Sequence, residues 1–294
     1  MADINSSELV GGGKSVLING VVTLNRYDDN PTINGMEFLK SGVVNTDTAS
    51  YPDATVSTIS AYTGTSFSTG SEDATPQGIT WDGTHFWVVG DTNDKAYQYT
   101  AAGVYTGTSF NVNSVPTCIA WDGSHFWALS NATNTVYKYT SAGVYAGISF
   151  SVASQETDAQ GITWDGTHFW VIGSGTDNAY QYTSAGVYTG TSFSVASQDT
   201  IPKGITWDGT HFWVVGVNTD RVYQYTAAGV YTGNSFSVAN QGPNPTDITW
   251  DGSHFWVVED FTNAVYKYST TDVVGLQTSA TDTDTGLPIY TRIK

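Results

Sequence analysis

A single cysteine, Cys118, stands in a chain of 294 residues, so no disulfide closes within it and no paired-cysteine metal or redox site exists. Positive charge is scarce too. Ten Lys and Arg face 27 Asp and Glu, and the formal charge of −17 repels nucleic-acid phosphates and anionic membranes while leaving neutral glycans and cations as compatible partners. No apolar run approaches the ~18 residues of a membrane span. The first 13 residues lack the basic segment and apolar core of a secretory signal. The expectation is a protein that folds in a cytoplasm, without membrane insertion.

Charged residues of all kinds make up 13%, whereas 31 Gly, 18 Tyr and many Thr, Ser and Val fill the chain. That balance suits many short strands joined by tight turns, and 39% apolar content is enough for a sizeable core. The expected class is all-β.

Internal repeats dominate. Trp-Asp-Gly begins at 81, 121, 164, 207 and 250, with spacings of 40, 43, 43 and 43. Each copy reads as four strands. In the first, strand A ends at Trp81, Asp82 and Gly83 are expected to supply the positive φ angles of a hairpin turn, and strand B covers 84–89. Strand C covers 96–99, and a turn at 101–103 leads into strand D at 104–110. Phe86 and Trp87 are adjacent on strand B, so large apolar groups point to both faces of the sheet and both must be covered. Sheets stacked around an axis cover both faces with their neighbours, which favours a β-propeller over a sandwich.

The strand-D pattern Tyr-x-Gly-x-Ser-Phe occurs at Tyr62, Tyr105, Tyr145, Tyr188 and Tyr231. Its first copy precedes every hairpin, and no copy follows the last. The strand at 61–68 is therefore expected to complete the last sheet, giving a five-bladed β-propeller over 59–269 closed by its own N-terminal strand. Residues 1–58 read as a small β-rich module, with strands at 15–18 and 20–24 and turns at 28–31 and 34–35. Residues 270–294 read as a tail that packs with it.

The repeats differ on one side only. From each Trp of Trp-Asp-Gly to the next strand-D Phe the distance is always 29. From that Phe to the next Trp it is 14, except for 11 between Phe110 and Trp121. The A–B and C–D turns thus form a uniform rim, while the B–C and D–A loops form a diversified one, where binding residues are expected. The candidates there are Gln77, Asp94, Lys95, Asn134, Gln160, Asp177, Lys203, Asp220, Arg221, Asp260 and Phe261, with Thr117 and Thr246 completing the channel mouth.

Other repeated residues read as structural. The five histidines, His85, His125, His168, His211 and His254, occupy one repeat position and are spread around the ring, so no metal site is expected. The tryptophans read as core and the aspartates of Trp-Asp-Gly as turn formers. Nothing singles out a pair among the candidate carboxylates of the channel mouth, Asp94, Asp177, Asp220, Asp247 and Asp260, and no nucleophile elbow or phosphate loop is present. On that ground the chain is read as neither an enzyme nor a cofactor binder.

The flanks carry NGMEFLKSGVV at 34–44, DTASYPD at 47–53 and IYTRIK at 289–294. With the DGTHFW and VYxY elements of the repeats, they make the chain similar to phage and prophage tail-fibre-like proteins. The resemblance implies a virion protein at the particle surface, in the tail rather than the capsid, trimeric, and attached to other virion proteins through 1–58 and 270–294. It implies a propeller that binds a host-surface receptor, a glycan or a protein. Two alternatives are a structural decoration without a ligand and a carbohydrate-active propeller hydrolase or lyase.

Overall fold

The computed structural model describes residues 61–113 and 115–269, with side chains from 62 onward, and the backbone of six short strands outside that range. The expected turns at 28–31 and 34–35 lie outside the described residues. Contacts divide the chain into two units, Thr58–Thr271 and a second made of Met1–Ser57 and Asp272–Lys294. In the second unit β1 (Ser15–Ile18) pairs antiparallel with β2 (Val21–Leu24), and β3 (Thr32–Ile33) with β4 (Met36–Glu37).

The larger unit begins with β5 (Ala61–Ser68) and continues as four complete antiparallel sheets. The first blade is β6 (Pro76–Trp81), β7 (His85–Gly90), β8 (Lys95–Thr100) and β9 (Tyr105–Asn111). The second is β10 (Pro116–Trp121), β11 (His125–Ser130), β12 (Thr135–Thr140) and β13 (Tyr145–Ser151). The third is β14 (Ala159–Trp164), β15 (His168–Gly173), β16 (Asn178–Thr183) and β17 (Tyr188–Ser194). The fourth is β18 (Pro202–Trp207), β19 (His211–Gly216), β20 (Arg221–Thr226) and β21 (Tyr231–Ser237). The fifth joins β22 (Pro245–Trp250), β23 (His254–Glu259) and β24 (Ala264–Ser269) to β5. In the second unit β25 (Leu276–Thr281) pairs with β26 (Pro288–Arg292).

The first strands of the blades pack side by side in a closed ring, β6 against β10 and back around to β22 against β6. The fold is the five-bladed propeller expected from the repeats. Its closure is also as expected: Phe67 of β5 pairs with Val265 of β24, and Tyr62 with Tyr268. The outer side of β24 is thereby paired within the chain.

Phe86 and Trp87 do point to opposite faces. Trp87 packs on Phe126 of the second blade at 4.9 Å between ring centroids, and Phe86 packs on Trp256 of the fifth at 4.7 Å. Trp127–Phe169, Trp170–Phe212 and Trp213–Phe255 complete the circuit. Every blade interface thus holds one tryptophan from one side and one phenylalanine from the other, and burial of each ring contributes about 1.5–3 kcal/mol.

The hairpin turn differs from expectation. Gly83, at φ 95, takes a positive φ but Asp82 does not, and the backbone N–H of Asp82 donates to the carbonyl of His85 at 3.0 Å. The two loop residues are therefore Gly83 and Thr84, in the arrangement that needs glycine only at the first position. Asp82 stays at the corner because its carboxylate is occupied with the turn's own N–H groups.

Candidate functional site

The uniform rim is built the same way five times. Oδ1 of Asp82 accepts the backbone N–H groups of Thr84 and His85 at 2.8 and 2.7 Å, and Oδ2 accepts the indole N–H of Trp87 at 2.7 Å. Asp122, Asp165, Asp208 and Asp251 hold Trp127, Trp170, Trp213 and Trp256 likewise. These aspartates do more than form turns, since each satisfies the polar end of a buried tryptophan. Burial pushes the Asp122 and Asp251 carboxyls up, but the bonds from Trp127 and Trp256 and from the turn outweigh it and hold both below the usual range. Each histidine lies beside the aspartate of its own blade, Nδ1 3.8–3.9 Å from a carboxylate oxygen.

On the opposite rim the D–A and B–C loops touch, and their anchors differ from blade to blade. In the third blade the buried Glu156 accepts N–H groups from Asp158 (2.8 Å), Gly175 (3.0 Å) and Thr176 (3.2 Å) and the Thr176 hydroxyl (2.6 Å). In the fourth, Asp199 accepts from Ile201 and from the N–H and hydroxyl of Thr219. In the first, Asp73 accepts from Thr75 while its Oδ2 has no partner. In the second, where the loop is three residues shorter, the N–H of Asn113 donates to the Tyr139 hydroxyl instead.

The fifth blade reverses the arrangement. Gly242 stands where the first, third and fourth blades carry the acid, and Glu259 at the end of β23 stands where they carry Gly90, Gly173 and Gly216. The Glu259 carboxylate accepts from Asn244 at 3.0 Å and from the N–H of Thr262 at 2.6 Å, reaching the same place from the opposite strand. A side chain on Gly242 would run into it. The acid eight residues before Trp81, Trp164 and Trp207 is a pattern visible in the sequence, but its role was missed there.

The candidates picked from sequence fall into three groups. Asp94, Asn134, Asp177 and Asp220 share with Asn263 a left-handed turn position, with φ between 46 and 55. Their backbone carbonyls accept the N–H groups of Val112, Val152, Val195 and Val238 at 2.8–2.9 Å. Asp94 and Asn134 also cap the following loop, accepting from the N–H groups of Val115 and Ala159. At Asp177 and Asp220 the matching residues are Pro202 and Pro245, which have no N–H, and the Oδ1 atoms have no partner. Burial, with Glu156 and Asp199 nearby, pushes the Asp177 carboxyl up; burial, with Asp199 and Glu259, does the same to Asp220.

Lys95 and Arg221 begin the third strands of their blades, and the Arg221 guanidinium donates to Ser235 on the outermost strand at 2.8 Å. These two do not join the channel mouth. In the third group Gln160, Lys203 and Asp260 come together. Lys203 Nζ donates to Gln160 at 3.2 Å, and Gln160 donates to Asp158 at 2.6 Å. Asp260 accepts from the Asn244 amide; burial pushes its carboxyl up, Glu259 and Asp91 add to that, and Lys203 opposes it. Phe261, next in the chain, is 77% exposed. Gln77 is half-buried at the repeat position of Gln160 and Lys203.

One residue further along the inner strands the channel is plugged. The five equivalent positions are Gly78, Cys118, Gly161, Gly204 and Asp247. A Cβ on Gly78 would lie 2.5 Å from Cα of Cys118, so glycine is required for strands to approach this closely. Asp247 was read as a mouth carboxylate, yet it is 1% exposed: it projects across the axis, accepting the Ile79 N–H at 2.8 Å and the Cys118 thiol at 3.2 Å. Beyond the plug, a cavity of about 120 Å³ is lined by Thr80, Thr163, Thr206 and Thr249 and reaches the tryptophans of the uniform rim.

No protein-family model matches the chain, and no curated protein matches it in sequence. Among solved structures, a glutaminyl cyclase of Myxococcus xanthus aligns at a TM-score of 0.56 and 11% identity, over 71% of this chain and 95% of that one. The likeness is one of fold. A virginiamycin B lyase of Staphylococcus aureus aligns at a TM-score of 0.45 and 18% identity over 67% of each chain. A streptogramin B lyase aligns at 0.43 and 15%, over 72% and 89%. The resemblance at the flanks stands on sequence alone.

The cyclase corrects one expectation. The chain was read as no enzyme because familiar catalytic motifs are missing, but a named enzyme shares its fold at 11% identity. Missing motifs therefore give no ground for ruling catalysis out on this scaffold.

Proposed function

We propose that the propeller is the receptor-binding domain of a virion protein, presenting its diversified rim to a host-surface glycan. Residues 1–58 and 270–294 attach it to the particle, with three copies assembled together. The observation that supports this is the contrast between the rims. One repeats a single Asp–Trp arrangement in all five blades, whereas the other changes its anchoring acid and its exposed residues between blades and shortens its loop in one of them. A scaffold under structural demand alone has no reason to vary on one side only, while loops on a rigid frame are where recognition is carried.

The test is binding of the full-length protein to candidate host cells and their purified surface polysaccharides, with particle attachment followed in parallel. Loops 91–95 and 218–221 are replaced by the second blade's loop, which forms the same left-handed turn. Saturable binding lost on replacement supports the reading. Incorporation into particles without binding to any permissive host overturns it, and release of reducing sugar from the polysaccharide redirects it to a carbohydrate-active enzyme.

A further inference from the structure

The fifth blade also departs from the others at the tip of one loop. At the tip of the B–C turn the first four blades carry Thr92, Ala132, Gly175 and Asn218, and the fifth carries Phe261. An exposed Phe forgoes the stabilisation that burial of its ring would give, and this one is 77% exposed. Nor is the tip loose. On one side of it Asp260 accepts from Asn244, and on the other Thr262 donates its N–H and hydroxyl to the buried Glu259 and accepts from the Tyr266 hydroxyl at 3.1 Å. Its two neighbours fix the ring's attachment before any ligand arrives, which lowers the ordering cost of binding.

We infer that Phe261 is the stacking platform of a saccharide subsite, taking the apolar face of an uncharged pyranose while Asp260 accepts hydrogen bonds from its hydroxyls. The inference rests on the receptor-binding reading of this rim and specifies its ligand. A sugar fits because it offers a flat C–H face and a rim of hydroxyl donors, matching an aromatic ring beside a carboxylate. An uncharged one fits because the chain carries a net charge of −17, and Asp91 and Glu259 act on the Asp260 carboxyl.

The test uses the full chain and ligand-observed saturation-transfer NMR with neutral gluco-, galacto- and manno-oligosaccharides, and an oligogalacturonate as the anionic counterpart. Transfer to one face of a neutral sugar is expected. Phe261→Ala should weaken it roughly tenfold and Phe261→Trp should keep it; Asp260→Asn should weaken it without changing the melting temperature. No transfer to any neutral sugar, equal transfer to the uronate, or an unchanged response in Phe261→Ala overturns the subsite. Cell attachment separates the two readings. If Phe261→Ala still attaches while the loop replacements do not, the subsite falls and the receptor reading stands. If sugar binding depends on Phe261 but no cell is bound, the receptor reading falls and the subsite stands.

Discussion

The thiol of Cys118 donates to Oδ2 of Asp247 across 3.2 Å, joining the innermost strands of the second and fifth blades. These blades are not neighbours, so the contact spans the channel. The N–H of Ile79, from the first blade, reaches the same Oδ2 at 2.8 Å, and that of Ile162, from the third, reaches the sulfur at 3.3 Å. Four blades thus meet on one acid and one thiol. Burial pushes the Asp247 carboxyl up to about 8, and the Cys118 thiol is pushed well above its ordinary value by burial and by Asp247.

Stability should therefore fall as pH rises. An unfolded aspartate titrates near 3.9, and the folded one holds its proton to about 8. Below the lower value the full contribution is present, and it is lost as pH rises through the upper one. Thermal melts from pH 4 to 9 should show this decline in the wild type, and Asp247→Asn, which cannot ionise, should flatten it. An equal decline in both proteins would locate the effect elsewhere.

Asp165→Ala should destabilise by about 1–3 kcal/mol, because it leaves the buried indole N–H of Trp170 and two turn N–H groups without their acceptor. Urea unfolding followed by tryptophan fluorescence measures it. The same change at Asp208 should cost a similar amount, since the arrangement recurs there.

Gly242 and Glu259 should be coupled. Gly242→Asp alone runs into the Glu259 side chain, and Glu259→Gly alone strips the acceptor from Asn244 and Thr262. Together they recreate the Asp199 and Gly216 arrangement of the fourth blade, so the double variant should recover most of the loss. A double-mutant cycle should give a coupling of roughly 0.5–3 kcal/mol; simple additivity would refute the exchange.

Phe67→Ala should cost about 3–5 kcal/mol, the usual result of emptying a buried aromatic site. Phe67 lies on the closing strand, against Phe86, Tyr99 and Trp256. Denaturant midpoints measure the loss. A change under ~1 kcal/mol would mean that closure by β5 adds little to the ring.

Five blades, their strands and the closing strand were legible because each depends on local information: a period of 40 to 43, a glycine at a fixed corner, and two aromatics side by side. The difference between the rims was legible as well, since loop length is counted along the chain. Only the tertiary structure decided which polar residues of that rim stay exposed. Asp94, Asn134, Asp177 and Asp220 looked free on a loop, but the left-handed turn claims their backbone, and the next blade claims the side chains of Asp94 and Asn134. Asp247 looked like a residue of the channel mouth, yet three glycines at its level narrow the channel until it is the plug. Repeat number follows from order along the chain, whereas the fate of a carboxylate follows from which distant N–H or thiol reaches it, and only folding brings those together.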